Sequence, residues 1–292
     1  MMPVRKVEHA VLLPLPSGEQ GQLLEHVDAA RLPALEDLVL GPRTRFSLNR
    51  VLAEHREVLR LKERGLRPAN RLLFRGPPGT GKTATAGALA AELGVPFVKV
   101  RQDALVQSYM GKTSASMRLV FDFAATTRSV MLIDEVDAIA RSREKQGGSE
   151  SASAEGNRIV TSLLVMLEEH RHHSDTIVIA ATNHEGVIDR AMWRRFDEVI
   201  SFEMPTQDAA VTLLCQLLHR HGHSVMTKGA IAQALGRRLR GLSFADVERI
   251  ALDAIKTILV NDQATMRSAL EDAVGRQRTR RALTSNMRRG KA

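Results

Sequence analysis

A chain of 292 residues, 43% hydrophobic and 26% charged, has material for one large domain or two modest ones around a proper core. A single cysteine, Cys215, excludes an internal disulfide, and no apolar run approaches the ~20 residues of a membrane span, so a cytoplasmic protein without a membrane partner is expected. The net charge of +9 is uneven: Arg276, Arg278, Arg280, Arg281, Arg288, Arg289 and Lys291 stand in the last seventeen positions with no acid, leaving +2 for the rest. Such a tail suits a phosphate backbone or an acidic partner, or is simply a solvated, partly disordered terminus.

Residues 1–35 show no clear period and carry Pro3, Pro14, Pro16 and Pro33, which reads as an N-terminal extension that docks or stays mobile. Leu48–Leu66 reads as a helix closed by Gly65 and Pro68. Arg71–Arg75 is a short buried strand, and Gly76-Pro77-Pro78-Gly79-Thr80-Gly81-Lys82-Thr83 after it fits G-x-x-x-x-G-K-[ST]. The run Thr83–Leu93 that follows is alanine-rich and helical. Strand, glycine loop and helix form a phosphate cradle. Glycines let backbone N–H groups turn inward, and the helix N-terminus adds partial positive charge. In this cradle, which extends to Ala84, Lys82 would reach the β- and γ-phosphates of a nucleoside triphosphate, and the Thr83 hydroxyl would ligate Mg²⁺.

Further apolar strands are read at Val95–Val100, Val130–Asp134, Ile177–Ala181 and Val199–Phe202, with helical stretches between the first four. That alternation predicts an α/β fold, a parallel sheet flanked by helices on both faces. The run Val130-Met-Leu-Ile-Asp-Glu-Val-Asp137 ends in acids at the sheet's carboxyl edge. There Asp134 holds the Mg²⁺ hydration shell, and Glu135 orients and deprotonates the attacking water. Gln146–Glu155, rich in Gly, Ser and Ala, reads as a mobile loop. After Pro205 only helices follow: Gln207–His221, Gly229–Leu239 and Phe244–Val260, the last opened by Ser243 with Asp246. Cys215 falls in an apolar stretch of the first and is expected to be a core thiol. The domain reading is therefore 1–35 extension, 36–204 large α/β domain, 205–275 small all-helical domain and 276–292 basic tail.

Taken together these segments resemble the AAA branch of the AAA+ ATPases over roughly residues 36–260. Ile179-Ala-Ala-Thr-Asn183 is similar to the family's sensor 1, which implies that Asn183 helps place the water. Asp189-Arg-Ala-Met-Trp-Arg-Arg-Phe-Asp197 is similar to the second region of homology, though two residues shorter between its arginines. The resemblance implies that Arg194 or Arg195 is the arginine finger offered to a neighbouring subunit. Leu242-Ser-Phe-Ala-Asp-Val-Glu248 resembles the segment beside the adenine, with Phe244 in place of a glycine, and Leu38–Pro42 would form the other adenine wall. Tyr109-Met110-Gly111 matches the pore-loop tripeptide that grips an extended polypeptide. Lys112 follows it where the family commonly has an acid, and Ser142–Gly156 takes the place of a second pore loop. Met117, Arg118 and Phe121 are expected on a subunit-interface helix.

What the resemblance implies is a ring-forming ATPase, a homo-oligomer and in the usual case a hexamer, with ATP and Mg²⁺ as cofactors and a polypeptide as substrate. It would act as a chaperone-like unfolding machine, alone or beside a separate protease or adaptor. The alternative reading is a nucleic-acid motor or loader using the basic tail. His170, His172 and His173, and His219, His221 and His223, lack cysteines or acids at zinc spacing and read more simply as favourable charges or caps at helix ends.

Overall fold

The computed structural model describes residues 19–101, 113–136, 162–163, 165–170, 175–183, 193–223, 230–261 and 263–289. The chain divides into two compact units, Met1–Gly76 with Lys82–Phe202 and Pro77–Gly81 with Glu203–Ala292.

The first unit is built on a six-stranded sheet of order β1-β3-β4-β5-β2-β6. The strands are β1 (Leu24–Val27), β2 (Arg71–Arg75), β3 (Phe97–Val100), β4 (Val130–Ile133), β5 (Ile177–Thr182) and β6 (Glu198–Ser201). All neighbours run parallel except β1, which lies antiparallel on β3 with Leu24 opposite Val100. Strand alternation sorts side chains onto two faces. Leu72 and Phe74 join one core with Leu48, Val51 and Leu52 of α2 (Pro42–Arg56) and with Ala86, Leu89 and Ala90 of α4 (Lys82–Leu93). Leu73 joins the other core, with Met117, Val120 and Phe121 of α5 (Thr113–Thr126) and with Leu163 and Leu167. Each such leucine, taken fully from water, contributes about 1.5–3 kcal/mol.

Three sequence expectations change here. Part of the N-terminal extension is an element of the sheet, since α1 (Glu19–Leu23) leads into β1; four residues with only Leu24 buried are too few to show a period. The first long helix starts at Pro42, with Gly41 as its cap, and breaks at Glu57 before α3 (Val58–Glu63). Proline at the first helical position loses no bond, so the helix begins there rather than at Leu48. Met117 and Phe121 are buried inside their own chain at 1% and 7% exposure, so neither faces a neighbour, while Arg118 is exposed and 3.7 Å from Glu169.

The second unit holds α6 (Gln207–Arg220), α7 (Ala230–Leu239), α8 (Phe244–Val260) and α9 (Met266–Arg289) around Leu214, Leu218, Val247, Ile250, Ala254 and Leu270. Position 275, where the sequence reading ended the helical domain, lies within α9, so the basic tail up to Arg289 continues a packed helix. Its cations serve the fold. Arg276 pairs with Asp253 at 2.9 Å, and Arg278 donates to the Arg238 carbonyl at 2.9 Å. Arg281 donates to the Gly241 carbonyl, so two guanidiniums satisfy carbonyls where α7 ends. Cys215 is only half-buried, which still pushes its thiol up from the ordinary value.

The start of α8 is a full capping box. Ser243 Oγ accepts from Asp246 N at 3.2 Å, and Asp246 Oδ2 accepts from Ser243 N at 2.9 Å. Gln277 donates to Asp246 Oδ1 at 2.6 Å. Burial raises the Asp246 carboxyl, but the Ser243 bonds, the Gln277 bond and the Arg281 charge outweigh it and hold it below its ordinary value of 3.8. A depressed carboxylate gives stability that is complete above the unfolded value and lost as pH falls through the folded one. Thermal melts should therefore show Asp246→Asn less stable than wild type at pH 7, with the gap closing in acid. A gap that does not change with pH would remove the ionised carboxylate from the account.

Candidate active site

Strand order sets the site. β5 lies between β2 and β4, and the registers Arg75–Thr182 and Ile133–Ala180 bring Gly76, Asn183 and Asp134 to one carboxyl edge. Gly76 closes β2 with φ 140°, its N–H donating to the Thr182 carbonyl at 3.3 Å. A Cβ there would stand 2.0 Å from the Phe202 carbonyl, so only glycine fits.

Lys82 opens α4 at 6% exposure. Its Nζ donates to the Gly76 carbonyl at 2.7 Å and to Asn183 Oδ1 at 2.8 Å. Thr83 Oγ1 donates to Asp134 Oδ2 at 2.8 Å, and Asp134 Oδ1 accepts from Glu135 N at 2.9 Å. Glu135 is exposed with φ 45°, a left-handed conformation that costs a non-glycine residue about 1–3 kcal/mol. This strained residue stands exposed at the tip of a core strand, between the buried Ile133 and the buried Val136.

These groups fit the expected ligands. Thr83 and Asp134 set two oxygen donors side by side, the chemistry a hard divalent cation takes. Two of the oxygens that hold the Lys82 ammonium are neutral, so a phosphate can compete for it.

The loop tip belongs to the second unit. Pro77 and Pro78 are exposed, and Thr80 Oγ1 donates to the Pro77 carbonyl at 2.8 Å. Gly79 has φ 75° and its carbonyl accepts from Ala245 N at 3.1 Å, using an orphan donor in the first turn of α8. A Cβ on Gly79 would meet Ser243 Oγ at 2.6 Å. Gly81 also has positive φ, and Ala84 is exposed.

The two arginines are not brought to this edge. Arg195 Nη1 pairs with Glu168 Oε2 at 2.5 Å, and that oxygen is 3.6 Å from Arg71, the first residue of β2. Arg71 is itself buried in a two-pronged pair with Asp197, Nη2 to Oδ1 at 2.6 Å and Nε to Oδ2 at 3.2 Å. So Arg195 is anchored near the amino end of a strand whose carboxyl end carries the phosphate loop. Arg194 is exposed, with no hydrogen bond or ion pair among the described residues. Sequence reasoning missed Glu168, Asp197 and Trp193, whose ring lies 5.0 Å from the Arg75 guanidinium; nothing in their local pattern signals these contacts.

Tyr109, Met110 and Gly111, Lys112, Ser142–Gly156 and Asp189 lie outside the described residues. His170 is a core histidine, 4% exposed, its Nε2 donating to the Thr176 carbonyl at 2.8 Å, and burial pushes its pKa down. Among the described residues no three His, Cys, Asp or Glu gather as a metal site.

Residues 72–204 match the family described as ATPase family associated with various cellular activities (AAA). The chain is 35% identical over 224 residues to y4kL, an uncharacterized AAA family ATPase of Sinorhizobium fredii, covering 77% of this chain and 64% of that one. It is 33% identical over 209 residues to the ATP-dependent zinc metalloprotease FtsH of Cutibacterium acnes, covering 70% of this chain and 28% of that one. Against the proteasome-activating nucleotidase of Methanothermobacter thermautotrophicus it is 34% identical over 193 residues, or 65% and 46% of the two chains. The match thus spans 64% or less of each of these relatives. The crystal structure of the FIGL-1 AAA domain shares the fold, with TM-score 0.66 at 20% identity over 87% of this chain and 85% of that one. With the parallel-dominated sheet and its flanking helices, residues 72–204 carry an ATPase domain of the AAA family.

Proposed function

We propose that the protein hydrolyses ATP within a ring of its own subunits, a hexamer in this reading, and uses the cycle to remodel, unfold or thread polypeptide through a central pore. The observation that carries the ring is Arg194. It is an exposed cation without an ion partner among the described residues, standing beside an arginine that is tied down. A neighbour's phosphates would use it.

The chain's own groups divide the work. Gly76, Pro77, Pro78, Gly79, Thr80, Gly81 and Ala84 shape the cradle. Lys82 exchanges its neutral oxygens for phosphate, which frees Asn183 Oδ1 to hold the attacking water. Mg²⁺, held through Thr83 and Asp134, would act as a Lewis acid on the phosphate oxygens. Glu135 takes a proton from the water as its oxygen bonds to the γ-phosphorus and the bond to the ADP oxygen breaks. Arg194, with Arg195 behind it, stabilises the charge that develops on the transferred group.

Polypeptide as the substrate rests on Tyr109-Met110-Gly111 and on the names of two relatives, a proteasome-activating nucleotidase and a zinc metalloprotease. A separate protease or adaptor partner and a cytoplasmic setting belong to the same proposal. Among the described residues no helix is long and apolar enough to cross a membrane. The nucleic-acid alternative loses support because Arg276, Arg278 and Arg281 are engaged within the second unit.

The test is a trap. Glu135→Gln loaded with ATP should bind without turnover and retain its substrate from cell extract, with protein and nucleic acid both quantified. A defined protein that is lost on adding Tyr109→Ala supports threading, and Tyr109→Ala alone should keep basal ATPase within about twofold while ending remodelling. Nuclease-sensitive nucleic acid that is lost on deleting 276–292 would replace this reading with the alternative.

A further inference from the structure

We infer that Arg75 and Trp193 form a positioning contact that couples the phosphate loop of one subunit to the arginine it offers its neighbour. The inference rests on the shared-site reading above and adds the internal link. Arg75 is the last residue of β2 and is bonded directly to Gly76. Its guanidinium carbon lies 5.0 Å from the centroid of the Trp193 ring, within cation–π range, and its Nε donates to Ser201 Oγ at 2.8 Å. Trp193 packs on the core beneath the sheet and immediately precedes Arg194. Arg195, on the other side, is fixed to Glu168. Arg194 is therefore an exposed residue held between two anchors, and one of the anchors touches the strand that ends in the phosphate loop.

Gly76 transmits any change with little slack. Its carbonyl is held by Lys82, its N–H by the Thr182 carbonyl, and its Cα faces the Phe202 carbonyl too closely for any side chain. Phe202 N in turn donates to the Arg75 carbonyl at 2.7 Å, and Arg75 lies in register with Ser201 of β6, the strand that the finger segment enters. Withdrawing Lys82 toward a phosphate releases one of the three restraints on the Gly76 peptide. The adjoining residue that can pass the change on is Arg75, through space to Trp193 and through β6 to the same segment. Packed elements of this kind shift between discrete arrangements rather than deform smoothly. The contact thus reports the state of a subunit's own loop to the site next door.

Trp193 is the only tryptophan in the chain, so its emission reads the contact directly. In the Glu135→Gln protein, ATP should change Trp193 emission, Arg75→Leu should abolish the change, and Arg75→Lys should recover part of it. In the otherwise native protein Arg75→Leu should lower kcat about 5- to 20-fold with KM within about twofold, the scale of one coupled contact. Mixed rings supply the test in trans. A Glu135→Gln subunit offers its finger to an Arg194→Ala subunit, whose own site is intact, and turnover should reappear on mixing. Adding Arg75→Leu to the Glu135→Gln partner should then cut that turnover by the same factor, and Arg75→Lys should restore it.

If mixing alone restores nothing, the shared site fails and takes the coupling with it. If mixing works, but Arg75→Leu in the donor leaves turnover unchanged or Trp193 emission ignores ATP, the coupling alone is overturned. A purely structural role for Arg75 predicts equal losses for Leu and Lys, with a lowered melting temperature and no trans effect; that result also overturns it.

Discussion

Lys82→Ala will reduce ATP affinity by about 100-fold or more while leaving the unliganded chain folded. The loss follows from what Lys82 does at 6% exposure: it is a buried cation poised on the Gly76 carbonyl and Asn183 Oδ1, two oxygens that a phosphate can replace. Charge-assisted bonds to a ligand contribute about 1.5–3 kcal/mol each, so losing two of them exceeds a hundredfold in Kd. The unliganded state also loses the bonds to Gly76 and Asn183, but it is relieved of a buried charge, and the two effects oppose each other. Calorimetric titration with ATP beside a thermal melt separates the outcomes. Unchanged affinity in a folded variant would refute the assignment of the phosphate loop. Loss of the fold itself would show that Lys82 is structural before it is a ligand.

Arg194→Ala will lower kcat about 10³-fold with ATP affinity nearly unchanged, the scale of an arginine finger. Arg195→Ala will cost less turnover and more of the local fold. Its Glu168 pair is 42% and 38% exposed at the two side chains, so the pair itself contributes about 0–1 kcal/mol. Removing Arg195 nevertheless leaves Glu168 leaning on the buried Arg71, which already serves Asp197. Steady-state kinetics of the two single variants decide between them. Mixing Arg194→Ala with Asp134→Asn should restore part of the rate, because each supplies what the other lacks. Equal kcat losses for the two arginines would end the distinction drawn from Glu168, and an active Arg194→Ala would end the finger assignment.

Both experiments turn on residues that were legible to different degrees. Lys82 and Thr83 could be named from spacing alone, since a phosphate cradle is a local device in which eight consecutive residues meet one ligand. Asp134 and Glu135 were legible because a buried strand must surface at its end, and acids there mark the exit. Ser243 and Asp246 were read as a helix start for the same reason: a capping box closes within three residues. The choice between Arg194 and Arg195 was not legible, because it depends on Glu168, twenty-seven positions earlier in sequence and 2.5 Å away in space. Nor was the burial of α5, whose Met117 and Phe121 fill the core of their own subunit.

The sequence by itself determined the place of the glycine loop between a strand and a helix, the run of strands from Arg71 to Phe202, and the change from mixed α/β to all-helical near Pro205. These rest on interactions between near neighbours, in which periodicity and turn residues carry the information. Only the tertiary structure decided that β5 separates β2 from β4 and so sets Asn183 against Lys82, that β1 adds an antiparallel edge, and that the basic C-terminal residues up to Arg289 belong to a packed helix. It also decided that Arg75 meets Trp193. Contacts of that range depend on how whole elements stack, and a side chain's local pattern does not encode which distant partner the stacking will bring.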